Sequence, residues 1–274
     1  MSEPGDPAPY EGARHQADRP VRIALQLQPQ HAQYDQIRAT VARAEDLGVD
    51  VVLNWDHFYP LNGPPDGEHF ECWTMLAAWA EATERVEFGA LVTCNAYRNP
   101  DLLADMARTV DHISGGRLIL GIGSGWFERD FTEYGYDFGT AGSRLDALGE
   151  ALPRIEARWE KLNPAPTRRI PVLIGGGGEK KTLRFTARHA TIWHGFGKPD
   201  AIARKHAVLD DWCDRIGRDP AEIERSCGVD GDPAESGDRL HALGTRLYTV
   251  HVGGPDHDLA PLADWIAWRD STNG

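Results

Sequence analysis

The chain has 274 residues, with 42 acidic side chains against 29 basic ones and a formal charge of −13 at pH 7. At 41% hydrophobic and 26% charged residues it has the composition of a globular protein with a sizeable core, long enough for two ordinary domains or one α/β barrel. The acidic balance argues against a nucleic-acid or anionic-membrane partner, because either would repel most of the surface.

Residues 1–20 are rich in proline, glycine and charge without periodicity, and read as a mobile tail. They lack the apolar block of a signal peptide, and no later run approaches the roughly 18 apolar residues of a membrane span, so a cytoplasmic protein is the default expectation. Short apolar runs then alternate with helical patterns. Strands are expected at residues 21–28, 49–57, 86–94, 117–125, 170–176, 191–197, 223–231 and 245–254. Between and after them come helices at 35–48, at 72–86, from Pro100 through Ile113, from Leu145 through Trp159, and near 179–189, 199–217, 236–243 and 259–270. The aromatic-rich stretch 126–143 reads as irregular. Eight strands and eight helices in strict alternation imply parallel strands joined by crossover helices, the arithmetic of a (β/α)8 TIM barrel over residues 21–274. A doubly wound sheet is the alternative.

A barrel places its site at the C-terminal ends of the strands. The residues there are Gln26 and Gln28; Asp56 and His57; Thr93 and Asn95; Gly123, Ser124, Gly125 and Trp126; Gly175 to Gly178; and His194, Asp230 and His251. The pair Asp56–His57 is the sharpest candidate, since an imidazole accepts, donates or shuttles a proton near neutral pH. Its bland reading is a capped strand end with the histidine packed under the following loop. Asp56, His57, His69 and Glu71 match no recognised metal-ligand spacing, so no metal is expected. The four scattered cysteines, Cys72, Cys94, Cys213 and Cys227, form no disulfide framework or C-x-x-C motif. In IGGGGEKKTLRF (174–185), four glycines at a strand-to-helix junction, with Lys180 and Lys181 beside them, suit an anion, although the G-K-[ST] ending of a P-loop is missing. GIGSGW (121–126) resembles a dinucleotide fingerprint, but Trp126 stands where the last glycine belongs; glycines beside an aromatic suit a flat ring laid on backbone instead.

The run WDHFYP, the continuous segment from FECWTM to YGYDF, and RRIPVLIGGGGEKKTLRFTARHATIWHGFG together resemble the luciferase-like monooxygenase superfamily over about residues 21–228. Within it the chain looks most like the branch of coenzyme F420-dependent oxidoreductases common in actinobacteria. The resemblance implies a TIM barrel with few insertions, commonly a homodimer, acting on a small-molecule substrate. It implies that Asp56 and His57 lie beside the deazaflavin ring, and that a non-proline cis peptide falls near Leu91–Val92 with Thr93 and Asn95 lining the site. It further implies that Gly123, Ser124, Gly125 and Trp126 border the cofactor and that Gly176, Gly177, Gly178 and Glu179 hold the phosphate of its tail. Two departures stand out. Leu61 and Trp126 occupy the places where F420-dependent sugar-phosphate dehydrogenases carry a tryptophan and a glutamate, which makes a sugar phosphate an unexpected substrate. The link between Trp159 and Ile170 is short, which suggests a more open pocket or one completed by another subunit. The expected activity is hydride transfer between C5 of F420 and a small organic substrate. The alternatives are an FMN-dependent monooxygenase and a barrel that binds F420 or flavin without turnover.

Overall fold

The computed structural model describes residues 16–274. Its centre is a closed ring of parallel strands: β1 (Arg22–Gln28), β2 (Val51–Asn54), β3 (Glu87–Ala90), β4 (Thr93–Cys94), β5 (Leu118–Gly123), β6 (Val172–Gly175), β7 (Ile192–Gly195), β8 (Glu224–Val229) and β9 (Leu247–Gly253). β3 and β4 are two halves of one barrel stave, interrupted at Leu91–Val92. β3 pairs with both β2 and β5, and this closes the ring. The fold is therefore the TIM barrel that the alternation implies. Its outer ring holds α1 (Tyr34–Leu47), α2 (Cys72–Ala82), α3 (Pro100–Ile113), α4 (Glu128–Glu133), α5 (Ala141–Trp159), α6 (Thr182–His189), α7 (Pro199–Ile216), α8 (Pro233–Ala242) and α9 (Ala260–Asn273). α4 is an addition to the expected pattern and lies inside the stretch read as irregular.

Local chemistry sets the boundaries. Glu71 caps α2, accepting from the Thr74 N–H at 2.6 Å, and Asn99 caps α3 ahead of Pro100 at its first turn. α1 ends on Gly48, whose φ of 95° is available to glycine without penalty. Two apolar layers follow from the strand period of two. One packs the outer strand faces against the helices and includes Phe88, Trp79, Trp193 and Trp265. The other fills the barrel with Ala24, Val51, Leu53, Leu91, Ile119, Leu173, Ile192 and Leu247. Below it Arg22 closes the base, bridging Glu224 at 2.5 Å and Glu87 at 2.6 Å.

The last residues of the expected tail are tied to this base. Gln16 is buried and its amide donates to the Ile223 carbonyl at 3.1 Å, while its own carbonyl accepts from Arg246 Nε at 2.8 Å. Arg19 donates to the Ala221 carbonyl at 2.8 Å. The rest of that tail, residues 1–15, lies outside the described residues. The short link from Trp159 to Ile170 also runs at the base, where Arg168 pairs with Glu87 at 2.7 Å. It connects a helix back to a strand, at the end of the barrel opposite the site, so its length has no bearing on how open the site is. Among the described residues, no helix is long and apolar enough to cross a membrane.

Candidate active site

A cavity of about 270 Å³ opens at the C-terminal mouth of the barrel. Its walls come from the ends of β2, β4, β5, β6 and β7: Asp56 and His57; Leu91, Val92, Cys94 and Tyr97; Gly123 to Trp126; Gly175 and Gly176; and Phe196.

One wall is mostly backbone. The Leu91–Val92 peptide is cis, and the buried side-chain amide of Gln26 donates to the Leu91 carbonyl at 2.9 Å. Val92 projects across the mouth toward β5 and β6. A Cβ on Gly123 would come within 2.7 Å of Val92 Cγ2, and one on Gly175 within 3.0 Å of Val92 Cγ1. Gly125 has φ 80°, and a Cβ there would meet Cys94 Sγ at 2.5 Å. These glycines are demanded by the chain's own packing, since the Val92 and Cys94 side chains take the space that a Cβ would need. Trp126 stands beside them at 63% exposure.

Opposite lies His57. Its Nδ1 is 2.6 Å from Asp130 Oδ2, and the ring packs edge-on against Trp126, Phe127 and Trp55 with centroids 5.7, 5.5 and 5.8 Å away. Asp130, fully buried on α4, also receives the Tyr97 hydroxyl at 3.1 Å on Oδ2 and the Phe58 N–H at 3.1 Å on Oδ1. An aromatic cluster of Phe58, Tyr97, Phe131, Tyr136 and Phe138 surrounds the group. Burial and the nearby Cys94 and Asp130 push the Tyr97 phenol well above its usual range, so it keeps its hydrogen.

Asp56 has a different task. Arg98 donates to both of its oxygens, at 2.6 and 3.1 Å, and the Cys94 N–H donates at 3.0 Å. Burial pushes the Asp56 carboxyl up and Arg98 opposes it. Arg98 also reaches Glu71 at 2.7 Å, so the cap of α2 and the strand end share one guanidinium. His69, driven down to about 4 by burial and by His57, accepts the Trp55 indole N–H at Nε2 over 2.9 Å. Of the four residues considered as metal ligands, Asp56 and Glu71 thus share Arg98, His57 bonds Asp130 and His69 accepts from Trp55.

The sequence-predicted residues divide accordingly. Asp56, His57, Leu91, Val92, Gly123, Ser124, Gly125, Trp126 and Gly176 line the cavity. Thr93 and Asn95 are buried off its wall, where Cys94 and Tyr97 stand instead. Thr93 takes the face of β4 opposite Cys94, and Asn95 belongs to the 3-10 turn Asn95–Tyr97 that follows, from which Tyr97 lines the cavity. Gly177 and Gly178 are exposed outside the cavity. The Glu179 carboxylate turns to α7, where Lys205 and Arg204 hold it at 2.7 and 3.0 Å and pull it below its usual range. Lys181 pairs with Asp146 at 2.5 Å, whereas Lys205 Cε lies 3.3 Å from the Cβ position of Gly177. His194 is buried in the barrel, bonded to Ser226 Oγ at 2.9 Å and off the cavity wall.

Asp130 and Tyr97 are the site residues that sequence reading missed. A signal was present: Phe127, Asp130, Phe131 and Tyr134 fall at i, i+3, i+4 and i+7, a helical stripe with a carboxylate on it.

A family model described as luciferase-like monooxygenase matches residues 19–230. The chain belongs to that family. An uncharacterised protein of Mycobacterium tuberculosis is 30% identical over 211 residues, 70% of this chain and 73% of its own. An F420-dependent glucose-6-phosphate dehydrogenase of Amycolatopsis mediterranei is 31% identical over 155 residues, covering 50% of this chain and 46% of that enzyme. The barrel superposes on an F420-dependent secondary alcohol dehydrogenase in complex with an F420-acetone adduct, with TM-score 0.80 and 15% identity over 90% of this chain and 97% of that one. It also superposes on the FMN-bound oxygenating constituent of 3,6-diketocamphane monooxygenase from Pseudomonas putida, with TM-score 0.63 and 17% identity over 78% and 68%. The luciferase-like barrel thus accommodates F420 in some neighbours and FMN in another.

Proposed function

We propose that the protein is an F420-dependent oxidoreductase that transfers a hydride between C5 of the deazaflavin and a small organic substrate. The observation that carries this reading is the cavity itself. A wall built from Leu91, Val92, Gly123 and Gly125 shares the cavity with His57, whose Nδ1 is held by Asp130. A ring can lie against this wall, where the side chains beside the glycines are the small Val92 and Cys94. The volume, about 270 Å³, falls below the roughly 300–1,000 Å³ typical of whole-ligand sites and suits the ring portion alone. The anionic tail would then run over the exposed backbone of Gly177 and Gly178, beside Lys205 and Arg204, whose two positive charges outnumber the single negative charge of Glu179 between them. When bound, the deazaflavin supplies a carbon centre that gives or takes a hydride. The chain's own contribution is orientation and proton handling. His57 would hold or move the proton of the substrate's reacting group through the ring nitrogen not bonded to Asp130. Asp56, on the cavity wall beside His57, would fix that segment through its two bonds from Arg98.

The names of two of the compared proteins, an F420-dependent glucose-6-phosphate dehydrogenase and an F420-dependent secondary alcohol dehydrogenase, support the cofactor. A second reading, an FMN-dependent monooxygenase, is favoured by the FMN-bound neighbour. Titration of the purified protein with F420 and with FMN, followed by fluorescence, separates them. F420 binding, with F420 absorbance changing when alcohols or carbonyl compounds are added, is the expected result. Micromolar FMN binding without F420 binding, and oxygen uptake with reduced FMN, overturns it. Tight F420 binding with no turnover over a broad panel points to a non-catalytic binding barrel.

A further inference from the structure

Asp130 sits 73 residues from His57 in sequence, on a six-residue helix outside the barrel strands. Nothing in the proposed chemistry requires it, yet it is inaccessible and three groups converge on its two oxygens. The backbone N–H of Phe58 can only donate. The Tyr97 phenol, held protonated by its surroundings, donates to Oδ2. Two donors converging on the carboxyl favour its carboxylate form, which can only accept, and this leaves the hydrogen of the 2.6 Å contact with His57 on Nδ1. A neutral imidazole with hydrogen on Nδ1 carries its lone pair on Nε2. Nδ1 is turned into the protein while the His57 ring lines the cavity, so Nε2 is the nitrogen left for a bound molecule. The ring cannot easily turn over to exchange the two nitrogens, because Trp55, Trp126 and Phe127 all pack against it.

We propose that Asp130 is a positioning residue: with Tyr97 and the Phe58 N–H fixing its carboxylate, it locks His57 as the Nδ1–H tautomer and presents a proton-accepting Nε2 to the cavity. The cavity edge then recognises a hydrogen-bond donor, such as a hydroxyl or an amine N–H, rather than a carbonyl. The proposal rests on the oxidoreductase reading only for what that nitrogen does. The tautomer is a property of the chain alone.

The test is long-range 1H–15N correlation spectroscopy of the full chain labelled at histidine, without cofactor, at a pH where His57 is neutral, with its signals assigned by His57→Gln. The wild-type protein is expected to show a protonated Nδ1 and a pyridine-type Nε2. Asp130→Asn can offer its own N–H to Nδ1, and is expected to reverse or mix that pattern. Tyr97→Phe, which leaves the Asp130–His57 contact in place, is expected to keep it. A wild-type spectrum with hydrogen on Nε2 overturns the proposal, and so does an Asp130→Asn variant with the wild-type pattern. The wild-type spectrum decides even if Asp130→Asn does not fold. F420 titration of the same sample keeps the two readings apart: a protein with the expected tautomer that does not bind F420 removes the proposed cofactor and leaves the role of Asp130 standing.

Discussion

Arg98 is what allows Asp56 to be buried at a strand end. Its two bonds to the carboxylate, at 2.6 and 3.1 Å, replace the water that Asp56 gives up. Removing one partner of a buried ion pair leaves the other uncompensated, which typically costs about 3–5 kcal/mol. Arg98→Met is therefore expected to lose about that much unfolding free energy in urea denaturation at pH 7; a loss below ~1 kcal/mol would mean that the pair does not hold the segment. His57 is different, because only one ring nitrogen is tied to the protein. His57→Ala is expected to keep a cooperative urea transition while turnover with F420 falls by at least about 100-fold, the scale of a lost general acid/base. Unchanged turnover would remove His57 from the chemistry. At this scale the sequence was only partly legible. Asp56 and His57 stand out because they follow an apolar run. Thr93 and Asn95 were expected to line the site because they stand at a strand end, and they are buried off the cavity wall. Asp130 sits on a visible helical stripe, but the sequence does not say what that stripe faces, and its partner is 73 residues away.

Between elements, the close approach of β3 and β4 to β5 shapes the cavity wall, and two glycines of β5 serve it in different ways. A Cβ on Gly121 would fall 1.8 Å from the Ala90 carbonyl oxygen, which is backbone and cannot step aside. A Cβ on Gly123 would meet the end of the Val92 side chain at 2.7 Å, a side chain that lines the cavity and can rotate there. Gly121→Ala is thus expected to force the staves apart and cost at least ~3 kcal/mol, the range of severe overpacking, or to give no folded protein. Gly123→Ala is expected to fold and to lose F420 affinity by tenfold or more, read by fluorescence titration. Equal stability losses with unchanged affinity in both variants would contradict this account of the wall. The glycines themselves were visible in the sequence. What they make room for was not, because Val92 and Ala90 reach β5 only through the closed ring.

At the scale of the molecule the fold was the most legible part, for a physical reason: parallel strands need crossover helices, and eight alternations leave few closed solutions. The boundary at residue 20 was less so, since Gln16 and Arg19 are anchored by carbonyls at the barrel base, and carbonyls leave no trace in sequence. The barrel also sets how the protein responds to acid. Burial holds His69 at about 4, and His194 and His206 at about 3, well below the ordinary histidine value near 6.5. Below about pH 6.5 the unfolded chain takes up protons at these three positions, and the folded chain does not until pH approaches 4 or 3. Their contribution is therefore complete above about pH 6.5 and is lost as pH falls, at about 1.4 kcal/mol per pH unit for each histidine and about 4 kcal/mol per unit for the three. Against a typical total of about 5–15 kcal/mol, such a slope is expected to make acid markedly destabilising between about pH 6.5 and 4.5. The check is the urea midpoint between pH 7 and 4.5, in the wild-type protein and in His194→Asn, which removes a buried ring that accepts no proton in the fold. The variant is expected to be less stable at pH 7 and to lose about a third of the slope between pH 6 and 4.5. An unchanged slope would place the acid sensitivity elsewhere, with Glu45 and Glu71 the next groups to test, since both are held below their usual range and would respond in the same direction at lower pH.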